Sequence, residues 1–295
     1  MTGTRQAEGS SFGALLRRRA TAADIAALLA VPVVLAGVFL LPRSVREAFV
    51  FTYTDPSLLT AFTSSYVHLD ATHLAVNVFT YAVVMAVVFV LDLASGRRQR
   101  FYTVLVTVLI VFPVVLSYTN LAILRLSVSF GFSGLVMAFA GYLVVALADY
   151  LAVQFDIGPR ASVGPMLFFF TLGLISVLSV QSVVPENTTV VLGNSGLVAA
   201  ALLSGLLYGL SVYQRGRNLR QRLHEAARRS GYFEAAVLAG VLVVTLPFVG
   251  FPTTLTVGGS VLNLYVHLLG YALGFLVPYV TILLQARVFA GQPER

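Results

Sequence analysis

The sequence predicts an all-α polytopic membrane protein of about eight transmembrane helices, and two observations carry that prediction. Hydrophobic residues make up 58% of the 295 positions, against roughly 45–50% in soluble domains, and the mean hydropathy is +0.89. These residues also gather into eight runs, near 23–42, 72–92, 101–118, 133–153, 163–184, 190–213, 236–252 and 260–286. Each is long enough, or nearly so, for the about 20 helical residues that cross a bilayer. Valine is frequent in them, but strands of a membrane barrel would be shorter and would alternate in polarity.

No polar stretch is long enough to build a soluble core of its own. One membrane domain is therefore expected over residues 23–288, with an N-terminal cytoplasmic segment 1–22 and a tail 289–295. The first apolar run has no small-residue cleavage site and reads as a retained span. The absence of cysteine excludes disulfides, thiol catalysis and thiolate metal sites. All nineteen basic residues are arginine, and with twelve acids they give a net charge of +7. In a chain this apolar the excess marks topology and not a nucleic-acid partner.

Arginine placement then orients the spans. Arg5 and Arg17 to Arg19 precede the first, Arg97, Arg98 and Arg100 follow the second, and Arg160 follows the fourth. Arg215, Arg217, Arg220, Arg222, Arg228 and Arg229 follow the sixth, with Arg287 and Arg295 at or after the end of the eighth. Only Arg43, Arg46 and Arg125 fall on the other side. By the positive-inside rule both termini are cytoplasmic, and the expected location is the plasma membrane of a prokaryote.

Two connections carry more than linkage. The external loop 43–70 is mildly apolar and suits a segment dipping into the bilayer edge. The basic cytoplasmic loop 214–235 spaces Leu219, Leu223 and Ala227 four apart among arginines, as in a helix lying on anionic lipid. His224 lies there and reads as a solvated surface histidine.

Three polar motifs interrupt the apolar runs. His68 is followed by His73 and Asn77, the last two one helical turn apart on one face of the second span. Gly131-Phe132-Ser133-Gly134 opens the fourth span, so the Ser133 hydroxyl sits at a helix N-terminus, where free N–H groups favour developing negative charge. His267 falls near the start of the eighth span and is followed by Gly270 and Gly274. The alternation of spans puts His73, Asn77, Ser133 and His267 at a similar depth on the external side. A serine, a histidine to take its proton and nearby donors are the parts that acyl transfer needs.

Taken singly, each motif has a plainer explanation. GxSG and GxxxG are common packing surfaces between membrane helices, and an intramembrane Asn is often interhelical glue. His68 reads as a structural tie for the external loop. The joint order and shared depth favour chemistry, and here the chain resembles the rhomboid family of intramembrane serine proteases. That family's pattern is a histidine, a second five residues on, an asparagine four further, GxSG at a helix start, and a histidine before GxxxG. Ala138, Gly141 and Tyr142, and the Leu91-Asp92 and Arg100-Phe101 pairs, extend the likeness over roughly 45–150 and 260–280.

The resemblance implies a rhomboid-like helical bundle with a six-helix core plus an extra pair, since three spans separate Ser133 from His267 where the family's core has one. It implies a serine endopeptidase cleaving transmembrane protein substrates within the lipid bilayer. Ser133 would be the nucleophile and His267 the base, with His73 and Asn77 as oxyanion donors and Gly131, Gly134, Gly270 and Gly274 in support. It implies no cofactor, no metal and no nucleic acid. The family's Trp-Arg pair in the first external loop is missing, and Met137 stands where an aromatic is common. A second GxSG, Gly193-Asn194-Ser195-Gly196, makes Ser195 the alternative nucleophile. Ser133 is preferred because it lies two spans after His73, the family's order.

Other chemistries fit worse. No HExxH exists for a zinc protease, Leu135 occupies the place of the second glycine of a nucleophile elbow, and Asp24, Asp92 and Asp149 sit at span ends and not at mid-membrane. The alternative functions are a catalytically inactive relative that binds membrane-protein clients and, from another class, a repeat-built carrier suggested by the twin GxSG helices.

Overall fold

A helix apolar on every side belongs inside a bundle, and Ser133–Phe155 is that helix: every side chain from Gly134 to Tyr150 is buried. The computed structural model describes residues 11–123, 127–181, 188–215, 219–252, 256–257 and 260–290. Among these run thirteen helices in chain order: α1 (Phe12–Arg19), α2 (Ala22–Phe39), α3 (Arg43–Glu47), α4 (Leu58–Thr63), α5 (Ala71–Ala94), α6 (Arg98–Ile110), α7 (Phe112–Asn120), α8 (Ser133–Phe155), α9 (Arg160–Gln181), α10 (Thr188–Arg215), α11 (Leu219–Ala227), α12 (Tyr232–Gly250) and α13 (Leu264–Ala290). Seven are long and apolar enough to cross a membrane, and α6 with α7, bent at the break between them, pass the same test only as a pair. Within the described residues the expected runs are thus helical, save that the eighth opens with a strand at Ser260–Val261 and its helix starts at Leu264, and the protein is an all-α polytopic membrane bundle. Arg5, Arg125, Arg217 and Arg295 lie outside the described residues.

Helix ends follow local chemistry. Asp24, three residues after Thr21, accepts from the Thr21 N–H at 2.7 Å and so caps α2. Asp70 accepts from the His73 N–H at 2.9 Å and so sets where α5 begins. The third span bends by 44° between Ile110 and Phe112. Pro113 explains the break: it has no N–H for the Leu109 carbonyl, and its ring crowds that oxygen. The Tyr66 hydroxyl donates to the orphaned oxygen at 2.5 Å. The sequence expectation of an uninterrupted run over 101–118 is corrected accordingly.

Around α8 pack α13, α5, α9 and α12, and α12 also touches α5. The closest approach is α8 to α13. A Cβ on Gly270 would overlap the Gly134 carbonyl, one on Gly274 the Ala138 carbonyl, and one on Gly141 the Tyr271 carbonyl. Only glycine permits backbones so near. By contrast α10 has α9 as its main neighbour, so these two form a hairpin on the flank of the bundle.

The loop over residues 43–70 is folded. Strand β1 (Phe51–Thr52) pairs antiparallel with β2 (Val128–Ser129), just before α8, and the Ser117 hydroxyl of α7 donates to the Ala61 carbonyl of α4 at 2.9 Å. A second two-stranded ribbon, β3 (Thr256–Val257) with β4 (Ser260–Val261), lies between α12 and α13. At the opposite end Asp24, Asp92 and Asp149 are buried and paired. Asp149 accepts from Arg97, Arg100 and Arg160 at 3.0, 2.9 and 3.1 Å, Asp92 from Arg100 and Tyr142, and Asp24 from Arg98 and Tyr102. Helix α11 docks on this end through buried Ala226 and an Arg222–Asp156 ion pair, with Leu223 and His224 exposed.

Candidate active site

Ser133 is the first residue of α8, so its N–H has no acceptor inside the helix. The chain arrives there through Gly131 at φ +108°, a conformation that side-chain-bearing residues rarely adopt. The Gly131 N–H donates to the Ser64 carbonyl at 2.9 Å, and the buried Phe132 ring packs between Tyr66 and Tyr81. The hydroxyl of Ser133 is thereby held at the N-terminal end of α8.

His267, 4% exposed in the first turn of α13, meets it. The Ser133 hydroxyl lies 2.7 Å from His267 Nε2, and His267 Nδ1 lies 2.6 Å from the carbonyl oxygen of Gly250. A carbonyl only accepts, so Nδ1 carries the proton and Nε2 is left to accept from Ser133. That is the tautomer a general base needs. Gly250 is the last residue of α12, and its carbonyl is one of the four that a helix C-terminus leaves without an internal partner. Phe251, 1% exposed, sets its ring edge against the imidazole at 6.1 Å between centroids. Met137 lies against Gly250, with Sδ 2.6 Å from where a Cβ would stand.

His73 and Asn77 come to the same place on α5. The His73 ring packs on Gly131, its Cε1 2.6 Å from where a Cβ on that residue would stand, and its buried Nε2 has no partner among the described residues. Asn77, 4% exposed, points its amide nitrogen at His68 Nε2, 2.9 Å away. One of the two amide hydrogens is engaged there and the other is left. His68 also accepts, at 3.4 Å, from the Phe132 N–H, while its own carbonyl accepts from the buried Arg46 guanidinium. His68 therefore joins the loop 43–70, α5 and the start of α8. Burial pushes its imidazole down to about 3, with the neighbouring His73 ring acting in the same direction.

Ser133, His267, His73 and Asn77 are brought together, with Gly131, Gly134, Gly270 and Gly274 at their close approaches. Ser195 is not. It lies two turns inside α10, exposed, with its hydroxyl donating to the Val191 carbonyl at 2.8 Å, and a Cβ on Gly193 or Gly196 would meet nothing within 4 Å. Sequence reasoning missed Gly250, Phe251 and Arg46. Among the described residues no group of three or more His, Cys, Asp or Glu side chains is placed to hold a metal ion. No protein family, curated protein or solved structure matches the chain.

Proposed function

We propose that this protein is an intramembrane serine endopeptidase of the rhomboid type, hydrolysing peptide bonds in or beside transmembrane segments of other proteins. One observation carries the reading: the 2.7 Å contact of Ser133 with His267 in the tautomer imposed by Gly250. Ser133 Oγ attacks the peptide carbonyl carbon as its proton passes to His267 Nε2. The oxyanion that forms takes hydrogen bonds from the Ser133 N–H, Asn77 and His73. The C–N bond then breaks, and His267 returns the proton to the leaving amine. Water, deprotonated by His267, releases the acyl group and regenerates Ser133. No carboxylate contacts His267 among the described residues, so Gly250 performs the orienting task that an acid performs in a triad.

The arrangement also accommodates the extra helix pair. In this reading α12, beside α5 and α8 and carrying Gly250, is the single helix that the family's core places between serine and histidine; α9 and α10 are the additional hairpin. The deciding experiment uses protein reconstituted in liposomes with a panel of reporter transmembrane segments and a fluorophosphonate probe. Cleavage and labelling should vanish in Ser133→Ala and persist in Ser195→Ala. A wild-type protein that binds reporters without cleaving or being labelled would leave a client-binding scaffold as the function.

A further inference from the structure

The bend at Pro113 leaves a cleft at the arginine-rich end of the bundle. Helix α13 packs on α7, while its contact with α6 is slight. The gap between α6 and α13 is a cavity of about 550 Å³. Arg97, Arg100 and Arg160 line it together with apolar Val104, Val108, Phe112 and Val277, and Thr103, Thr107 and Thr281 add hydroxyls to the wall. Three guanidinium charges face two carboxylates, Asp92 and Asp149, which leaves one positive charge in excess. Among the described residues Arg97 donates only through Nε and Arg160 only through one terminal nitrogen. Their side chains are 42% and 41% exposed, so both retain free donors at the mouth.

A ligand that fits needs an anionic head and an apolar body. We propose that this cleft binds one anionic phospholipid, its phosphate on Arg97 and Arg160 and an acyl chain between α6 and α13. Basic pockets between membrane helices hold such headgroups. Free phosphate shares the head chemistry but would leave the apolar wall formed by Val104, Val108, Phe112 and Val277 uncovered. A client helix is too large: a helix about 10 Å across displaces roughly 400 Å³ per turn, so the cavity admits little more than one turn. The arginines already satisfied by Asp149 are held in place before the lipid arrives, which lowers the ordering cost of binding. This inference is independent of the reading of Ser133.

The test is thermal unfolding of the full-length protein in neutral detergent, with dioleoylphosphatidylglycerol, dioleoylphosphatidylcholine or inorganic phosphate added. Phosphatidylglycerol should raise the melting temperature in a concentration-dependent way, as ligands of the folded state do, and the other two should not. Arg97→Gln with Arg160→Gln should remove at least half of that rise. Because the arginines also hold Asp149, Thr281→Trp and Val104→Trp serve as second variants. Both fill the cleft and leave the ion pairs alone, so either one that keeps the wild-type melting temperature without lipid should lose the rise. Equal responses to both lipids, a response to phosphate alone, or a rise that survives in the filled variants would overturn the site.

Discussion

His267 Nδ1 and the Gly250 carbonyl, 2.6 Å apart, decide which nitrogen faces Ser133. The bond runs from the first turn of α13 to the last residue of α12, and its acceptor is a group that α12 would otherwise leave unpaired. An orienting acceptor on the main chain carries no net charge into the membrane, unlike a buried carboxylate.

If Ser133 and His267 act as one unit, their removal is not additive. Ser133→Ala and His267→Ala should each abolish turnover of a reconstituted reporter, and the double variant should be no worse than either single. Single-turnover rates on the three proteins check this. Losses that multiply would mean that the two residues act in separate steps.

The place of His73 against Gly131 makes a second pair testable. Gly131→Ala forces a side chain onto φ +108° and onto the His73 ring. The backbone term is about 1–2 kcal/mol, and the crowding adds about 1–3 kcal/mol. The melting temperature should fall and kcat with it. Adding His73→Ala to Gly131→Ala should recover part of the melting temperature, because the clash is gone, without restoring kcat, because an oxyanion donor has gone too. Losing one such donor typically costs about 2.7–4 kcal/mol of barrier. Full recovery of turnover in the double variant would remove His73 from the chemistry.

Much of this was legible because membrane spans and helix starts are written in local sequence. Seven of the eight apolar runs are single long apolar helices and the third is a bent pair, and Ser133 begins its helix as the preceding Gly131 and the following run imply. What was not legible depends on where separate helices meet. Gly250 acts through its carbonyl, which every residue possesses, so no residue type announces it. Met137 has no aromatic ring to set beside His267; Phe251, from a different segment, does so. Arg46 counted only as an external charge, yet it is buried and fastens the His68 carbonyl. Pro113 was a readable signal for the break in the third span, although the cleft it opens beside α13 needed the tertiary packing.

The GxxxG after His267 and the second GxSG predict opposite responses to small additions. At Gly274 a methyl would overlap the Ala138 carbonyl, a backbone atom that yields only if α13 moves away from α8. Gly274→Ala should therefore destabilise the protein and separate Ser133 from His267, lowering kcat more than it raises KM. Gly193→Ala and Gly196→Ala meet open space and should be neutral or stabilising by about 0.5–1 kcal/mol, the usual helix preference for alanine. Melting temperatures and kcat for the three variants decide the matter. A harmful Gly196→Ala would return the second segment to consideration.

The last prediction turns on His68. Burial holds its imidazole at about 3, the His73 ring and Arg46 push the same way, and the Tyr66 carbonyl opposes them. In the unfolded chain the group titrates near its ordinary 6.5. Between those values the unfolded chain takes up a proton that the folded protein refuses, so stability falls as pH falls. The contribution is complete above about pH 6.5 and lost progressively down to about pH 3, at up to about 1.4 kcal/mol per pH unit inside the window. His68→Gln keeps an acceptor for Asn77 but cannot titrate. Its melting temperature should therefore decline less steeply than the wild type's between pH 7.5 and pH 4.5, even if it starts lower. Parallel curves for the two proteins would show that His68 takes up its proton in the folded state, where a charged ring can no longer accept from the Phe132 N–H.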